Sequence, residues 1–313
     1  MRLGRAAGQT DTGRRRRQNE DAFVCEPPLF AVADGMGGAQ AGELASRLAA
    51  AAIEEGALRV QGEESVAGIV RTANARIFEH SVRDPNAAGM GTTATVAFVD
   101  EEAETAAIAH VGDSRAYRYR DGVLEQLTTD HSLVGELVRS GRLTEAEAAV
   151  HPHRSVITRA LGTEADVEVD THTVDLRTGD LVLLCSDGLS AMVRDEEIVR
   201  LLEETGLAPH EAAEALVAAA NAAGGEDNVT VVLFEVVDGE PIGFRTPPPS
   251  LRAETGLEPV NVVTGSDTAT SVPLNGDDVS RHGPGKGSRW PALLLLVALL
   301  AIAAFLVWWS FVR

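Results

Sequence analysis

The sequence predicts an α+β domain built as a layered sandwich of strands and helices, followed by a linker and a membrane-spanning helix. Two long helical patterns come early in the chain, strands joined by short turns come next, and a further helical pattern comes late. This order differs from the regular strand–helix repetition of a doubly wound parallel sheet. The composition, with 44% hydrophobic and 24% charged residues, is typical of a globular protein.

The individual elements follow from the spacing of apolar residues. In TTATVAFV, residues 92–99, small or polar residues alternate with apolar ones, which is typical of a half-buried strand, and Asp121-Gly122 predicts a hairpin turn. Strands are predicted over residues 22–25, 29–34, 92–99, 105–112, 115–120, 123–128, 180–185 and 228–237, and helices over residues 40–55, 64–80 and 210–222. The second helix carries one apolar stripe, formed by Val66, Ile69, Val70, Ala73 and Ile77.

The chain changes character after residue 238, so we expect one folded domain over residues 1–238. Residues 239–289 are rich in Pro, Gly, Ser and Thr and predict a flexible linker. Residues 290–312 lack charge, are long enough to cross a bilayer, and have tryptophans at both ends, which predicts a transmembrane helix. More basic residues precede this span than follow it, so we expect a single-pass protein of the cell membrane whose folded domain is cytoplasmic.

Charge and cysteine content exclude several classes of protein. The net charge of −20 argues against nucleic-acid binding, which needs clustered Lys and Arg. The two cysteines, Cys25 and Cys185, provide no disulfide framework and suit a reduced compartment. The first ten residues contain no apolar core of signal-peptide length.

Acidic residues occupy the ends of several predicted strands. Asp34 ends the apolar run LFAVAD and is followed by glycine, and Asp187 ends LLCSD in the same way. Each Asp-Gly pair alone is more typical of a turn. Carboxylates from distant strand ends could also converge and bind hard divalent cations such as Mg²⁺ and Mn²⁺, and the residues alone leave both interpretations open. The candidate acids are Glu20, Asp21, Asp34, Asp113, Asp187 and Asp227.

A dense basic run, Arg14 to Arg17, precedes the first of these acids. For three of its arginines we favour a solvated basic patch or contact with a membrane surface. Arg16 could instead direct its planar guanidinium at a phosphate bound beside the metals.

The order of motifs resembles that of the type 2C, metal-dependent protein serine/threonine phosphatases (PPM family) in their bacterial form. The likeness covers residues 8–237. It rests on GRRRRQNED, ADGMGG, GMGTTAT, HVGDSRAY, LTTDHS, ITRALG, CSDGL and EDNVTVV, which occur in the family's order. The resemblance implies a four-layer α-β-β-α sandwich of two antiparallel sheets, with a binuclear metal site at one end.

The resemblance also implies roles for individual residues. Asp34 would bridge two Mn²⁺ or Mg²⁺ ions, and the Gly35 carbonyl would bind one of them. Asp187 and Asp227 would complete the shell of the other ion. The remaining acids would act more peripherally: Glu20 and Asp21 directly or through metal-bound water, and Asp113, with Asp187, on a third, weaker ion. Arg16 matches the family's phosphate-binding arginine.

The implied reaction is hydrolysis of phosphoserine and phosphothreonine on proteins by a metal-activated water. The expected partners are phosphorylated proteins, including a membrane Ser/Thr kinase that the phosphatase opposes and the substrates of that kinase. Some relatives carry a histidine, proposed as the acid for the leaving group, where this chain has Met36. His131 and His153 are alternative donors, but we favour metal-bound water. Residues 143–161 match the family's flap beside the site.

Other phosphatase classes fit the sequence less well. A cysteine phosphatase needs Cys-x₅-Arg, but the residues six positions after the two cysteines are Ala31 and Ala191. Two related alternatives to a kinase-opposing phosphatase remain. One is a catalytically weak regulator that binds phosphoproteins, although Asp34, Asp187 and Asp227 are all retained. The other is a partner-switching phosphatase, although the usual sensor domain is missing.

Overall fold

A computed structural model describes residues 1–57 and 62–239, and within them two antiparallel sheets form the centre of the fold. The first sheet has the order β1-β11-β10-β7-β8 and the second has the order β2-β3-β5-β6-β9, with β4 paired to β3. The strands are β1 Arg2–Asp11, β2 Asp21–Glu26, β3 Leu29–Met36, β4 Gly91–Thr92, β5 Ala94–Asp100, β6 Thr105–Val111, β7 Arg115–Arg120, β8 Val123–Gln126, β9 Asp170–Asp175, β10 Leu181–Cys185 and β11 Val229–Val237.

The sheets pack face to face through one apolar layer. Phe30 of the second sheet stacks on Phe234 of the first, with ring centroids 4.2 Å apart. Val32 and Ile108 meet Leu184 within the same buried cluster. These residues alternate along their strands with others that face the helices, so each central strand is buried on both sides.

Helices cover the outer face of each sheet. The second sheet lies under α1 (Ala39–Gly56) and α2 (Glu63–Arg83), and the first lies under α6 (Asp195–Glu204) and α7 (Pro209–Ala222). The shorter helices are α3 Leu133–Arg139, α4 Glu145–Ala149 and α5 Asp187–Ser190. The predicted α-β-β-α order of layers is therefore confirmed.

The predicted helices agree with α1, α2 and α7, and the whole predicted stripe of α2 is buried. The strand predicted over residues 92–99 is interrupted, because Thr93 separates β4 from β5 and turns towards Asp34. Strands β1 and β9 and helices α3, α4, α5 and α6 were not predicted. Both cysteines are free, as expected.

The predicted transmembrane helix and nearly all of the predicted linker lie outside the described residues. In the part of the chain that the structure describes, no helix is sufficiently long and apolar to cross a membrane.

Candidate active site

The predicted acids meet at one end of the sandwich, where both sheets contribute strand ends. Asp21 begins β2 and lies opposite Asp34 of β3 in the antiparallel register. Asp187 follows β10, Asp227 precedes β11, and these two strands are paired. Asp113 lies between β6 and β7. The structure therefore brings together carboxylates as far apart in the sequence as Asp21 and Asp227.

Asp21 links the two sheets. Its Oδ2 atom accepts hydrogen bonds from Ser186 Oγ at 2.9 Å and from Thr230 Oγ1 at 2.6 Å, both from the first sheet's side. Its Oδ1 atom is buried and has no hydrogen-bond partner among the described residues. Burial, followed by the charges of Asp187 and Asp227, raises the Asp21 pKa above its usual range, although the two hydroxyl donors oppose this rise.

Asp34 is held by the break between β4 and β5. Its backbone oxygen accepts hydrogen bonds from Thr92 Oγ1 at 2.8 Å and from Thr93 N at 2.9 Å, and its backbone nitrogen donates to Thr93 Oγ1 at 3.0 Å. Burial, together with the neighbouring Asp21 and Asp187 and two further carboxylates, raises the pKa of Asp34 well above its usual range. Such a pKa marks a place where positive charge would be strongly stabilised.

Asp113 and Asp187 each leave one oxygen unsatisfied. Their Oδ1 atoms are buried without a hydrogen-bond partner in the described ranges. Burial is the main cause that raises the pKa of both, and Asp187 adds its charge to the rise at Asp113. Unpaired buried carboxylate oxygens are costly in a folded protein. These oxygens suit a hard cation better than an apolar or neutral environment.

Gly35 lies in a crowded place. A Cβ atom there would clash with the Gly42 carbonyl oxygen and would lie 2.5 Å from the Glu20 carbonyl oxygen, to which Gly35 N already donates. Glycine at this position permits close approach of a cation to its carbonyl oxygen. The structure adds a separate reason, which is the close packing of β3 on the start of α1.

Arg16 reaches the edge of the acid cluster. Its Nη2 atom lies 2.6 Å from Asp227 Oδ2, and its Nη1 atom lies 3.9 Å from Glu20 Oε1. The guanidinium is about half exposed, so it can also contact a ligand from solvent. The burial of Glu20 raises its pKa, and the charge of Arg16 opposes that rise.

Asn228 positions this arginine loop, a role the sequence analysis missed. Its Nδ2 atom donates to the carbonyls of Thr12 and Gln18, each at 2.9 Å, and its Oδ1 atom accepts from Glu20 N at 2.8 Å. Ser186, Thr230 and Thr93 were missed as well. All four lie inside motifs that carry the family resemblance. Their position in these motifs was the only feature of the sequence that could have indicated a role in the site.

The histidines considered as proton donors are engaged elsewhere or exposed. His131 Nδ1 accepts from Gly112 N at 3.0 Å, and its Nε2 atom lies 3.2 Å from Asp170 Oδ2 and 3.0 Å from Arg159. Burial lowers the pKa of His131. His153 is exposed and lies beside His151. His131 is thus a structural residue in this arrangement.

The predicted flap meets the rim of the site through one ion pair. Arg154 Nη2 lies 3.1 Å from Glu226 Oε2, next to Asp227. The end of the flap is fixed to β4, because Leu161 and Thr92 exchange two backbone hydrogen bonds of 2.8 and 3.1 Å.

The donor set fits divalent cations. It consists of carboxylate and backbone oxygens, which Mn²⁺ and Mg²⁺ prefer, and three of its buried oxygens are unsatisfied. Within residues 1–57 and 62–239, no three or more His, Cys, Asp and Glu side chains are already arranged as a metal-binding group. Protein donors direct two of the carboxylates instead, Asp227 through Arg16 and Asp21 through its two hydroxyls.

Comparisons with known proteins agree with this geometry. The family profile of Protein phosphatase 2C matches residues 9–229. The chain is 42% identical over 239 residues to serine/threonine phosphatase stp of Listeria monocytogenes, an alignment that covers 72% of this chain and 94% of the relative.

Solved structures resemble the folded domain. The Mycobacterium tuberculosis serine/threonine phosphatase PstP/Ppp is 39% identical with a TM-score of 0.71, and the match covers 75% of this chain and 99% of that one. A structure of the catalytic domain of PstP in complex with two manganese ions has a TM-score of 0.69 at the same identity and coverage.

Proposed function

The chain belongs to the protein phosphatase 2C family, and we infer that it is an enzyme that hydrolyses phosphoserine and phosphothreonine in proteins with two bound divalent cations, Mn²⁺ or Mg²⁺. The observation that carries this function is the convergence of carboxylates at one end of the sandwich, three of them with an unsatisfied buried oxygen. Arg16 beside this cluster supplies the positive group that a phosphate requires.

The resemblance and this placement support the following cation ligands. Asp34, which lies near the other carboxylates, would hold the cations together with the Gly35 carbonyl. Asp187 and Asp227 would hold one of these ions. Glu20 and Asp21 would support the pair, and Asp113 with Asp187 would hold a third, weaker ion. When bound, the cations acidify a water nucleophile and neutralise charge on the phosphate.

The protein's own residues fix the substrate and keep the carboxylates in place. Arg16 binds the phosphate oxygens through its half-exposed guanidinium, and the hydrogen bonds of Asn228 hold the loop that carries it. Ser186 and Thr230 hold Asp21 in its orientation. Because His131 is engaged with Asp170, we assign the proton of the leaving oxygen to solvent rather than to a histidine.

The test is hydrolysis of a phosphothreonine peptide by the full chain in Mn²⁺ and in EDTA. We expect activity only with Mn²⁺, and a loss of at least a thousandfold in Asp34→Asn. Asp121→Asn is the matched control, because Asp121 lies in the β7–β8 turn with a positive φ that Asn adopts readily. Thermal unfolding checks that both variants fold. EDTA-resistant activity, or full turnover in folded Asp34→Asn, would contradict the assignment.

We also propose that residues 290–312 anchor the enzyme in the cell membrane with the phosphatase domain in the cytoplasm, where it would act on a membrane Ser/Thr kinase and its substrates. The uncharged span and the tryptophans at its ends support the anchor. Membrane fractionation of the full chain and of a chain without residues 290–313 tests this. A soluble full chain would refute the anchor and leave the phosphatase assignment intact.

A further inference from the structure

Two arginines beside Arg16 have no role in the site as described so far. Arg15 and Arg17 are exposed, and neither guanidinium has an ion pair or hydrogen bond within the described residues. The neighbouring arginines differ from them. Arg14 lies 3.4 Å from Asp11, and Arg154 of the flap is paired with Glu226. Arg15 and Arg17 therefore carry the unneutralised positive charge of this rim.

The loop that carries these arginines is held in place. The backbone nitrogens of Arg14 and Arg15 donate to the Gly225 carbonyl at 2.8 and 3.1 Å. Asn228 bonds the loop near both of its ends, at Thr12 and Gln18. An arginine on a fixed backbone loses less entropy when it binds a ligand than one on a mobile loop. The loop is thus suited to recognition.

The distances suit a peptide that lies across the site. Consecutive Cα atoms are about 3.8 Å apart, so both arginines begin within one residue of Arg16. In an extended peptide, a side chain one or two positions from the phosphorylated residue lies about 3 to 7 Å from it. An acidic side chain at such a position would come within reach of Arg15 or Arg17 while Arg16 holds the phosphate.

The overall charge makes this pair selective. A chain of net charge −20 repels acidic segments over most of its surface. A pair of exposed guanidiniums on the loop that carries Arg16 offsets that repulsion only for a peptide bound in register. A membrane surface is a less suitable ligand, because covering Arg15 and Arg17 would also cover Arg16 between them.

We propose that Arg15 and Arg17 select substrates with acidic side chains within two residues of the phosphoserine or phosphothreonine. This inference rests on the proposed phosphatase function and names its substrate class. The recognising chemistry is a guanidinium paired with a carboxylate on the substrate.

The experiment compares two phosphothreonine peptides. One has Glu at the two positions before and the two positions after the phosphothreonine, and the other has Gln at the same positions. For the full chain in Mn²⁺ and low salt, kcat/KM should favour the Glu peptide about fivefold, the scale of two exposed ion pairs. The ratio should fall towards one in Arg15→Gln/Arg17→Gln, and also in the wild type at 0.5 M NaCl. A substitution that changes the activity on both peptides equally leaves this ratio of kcat/KM values unchanged.

The matched control is Arg2→Gln/Arg177→Gln, which removes two exposed, unpaired arginines at the opposite end of the first sheet. It should keep the wild-type ratio. Hydrolysis of para-nitrophenyl phosphate by the wild type tests the phosphatase function separately from the selectivity for acidic peptides. If the wild type does not hydrolyse this substrate, the phosphatase function itself is refuted.

Equal efficiencies on the two peptides in an active wild type would overturn only the selectivity. A ratio unchanged in Arg15→Gln/Arg17→Gln would overturn it as well. If that variant also lost affinity for phosphatidylglycerol vesicles, the pair would belong to a membrane surface instead.

Discussion

Replacement of Asp21 by Asn should raise the free energy of unfolding without metal, and bound Mn²⁺ should narrow the difference from the wild type. The Oδ1 atom of Asp21 is buried, the side chain lies near other carboxylates, and its pKa rises from 3.8 to about 7. The folded state therefore binds more protons than the unfolded state between these values. Stability is lost as the pH increases from about 4 to 7, because the unfolded chain can ionise Asp21 first.

The magnitude follows from the difference in pKa. A rise from 3.8 to about 7 corresponds to about 4 kcal/mol at pH 8 and less than half of that at pH 5. Asn has nearly the same shape as Asp, and its oxygen can accept both hydrogen bonds from Ser186 and Thr230. Asp21→Asn should therefore raise the free energy of unfolding by up to about 4 kcal/mol in EDTA at pH 8.

Saturating Mn²⁺ should narrow this difference between the wild type and the variant. A ligand present at a hundred times its dissociation constant stabilises the folded state by about 2.7 kcal/mol. The wild type should gain at least this much, and the variant less, because it has lost a carboxylate. Urea unfolding at pH 5 and pH 8, each in EDTA and in Mn²⁺, measures the free energy of unfolding in these four conditions. Asp121→Asn is the control. A destabilised variant in EDTA at pH 8, or an equal gain at both pH values, would refute the reasoning.

Three further changes test other parts of the structure. Arg16→Ala should chiefly raise KM for phosphopeptides, because it removes a contact with the phosphate, and steady-state kinetics would show an unchanged KM if the guanidinium points elsewhere. Gly35→Ala should abolish or severely reduce folded protein, since its Cβ would clash with the Gly42 carbonyl oxygen, and a wild-type unfolding curve would contradict this. Phe234→Ala should cost about 3 to 5 kcal/mol in urea unfolding, because it removes the ring stacked on Phe30, and a loss below 1 kcal/mol would mean that the sheets pack differently.

Much of the site could be predicted because its acids directly follow or precede buried strands. An apolar run that ends in Asp, as at Asp34 and Asp187, places the carboxylate at the end of a sheet, whatever the sheet order. The residues that hold these acids could not be predicted in the same way. Asn228 acts on backbone groups more than 200 residues away, and only the folded chain brings them together.

The missed strands have a physical reason as well. Strand β1, RLGRAAGQTD, is rich in Gly and Ala and has little apolar alternation. It forms because β11 supplies its hydrogen-bond partners and because Gly8 leaves room for the Phe23 ring. Strand β9 is an edge strand with mostly exposed or half-buried residues. In both cases, the tertiary context outweighs the local pattern.

The most direct test of the binuclear site is the number of manganese ions bound per chain. The protein is dialysed to equilibrium against Mn²⁺, and the bound metal is measured by elemental analysis. We expect two tightly bound ions in the full chain and the loss of both in Asp34→Asn, since that carboxylate lies among all the others. A full chain that binds no manganese, or a folded Asp34→Asn variant that still binds two ions, would contradict the account.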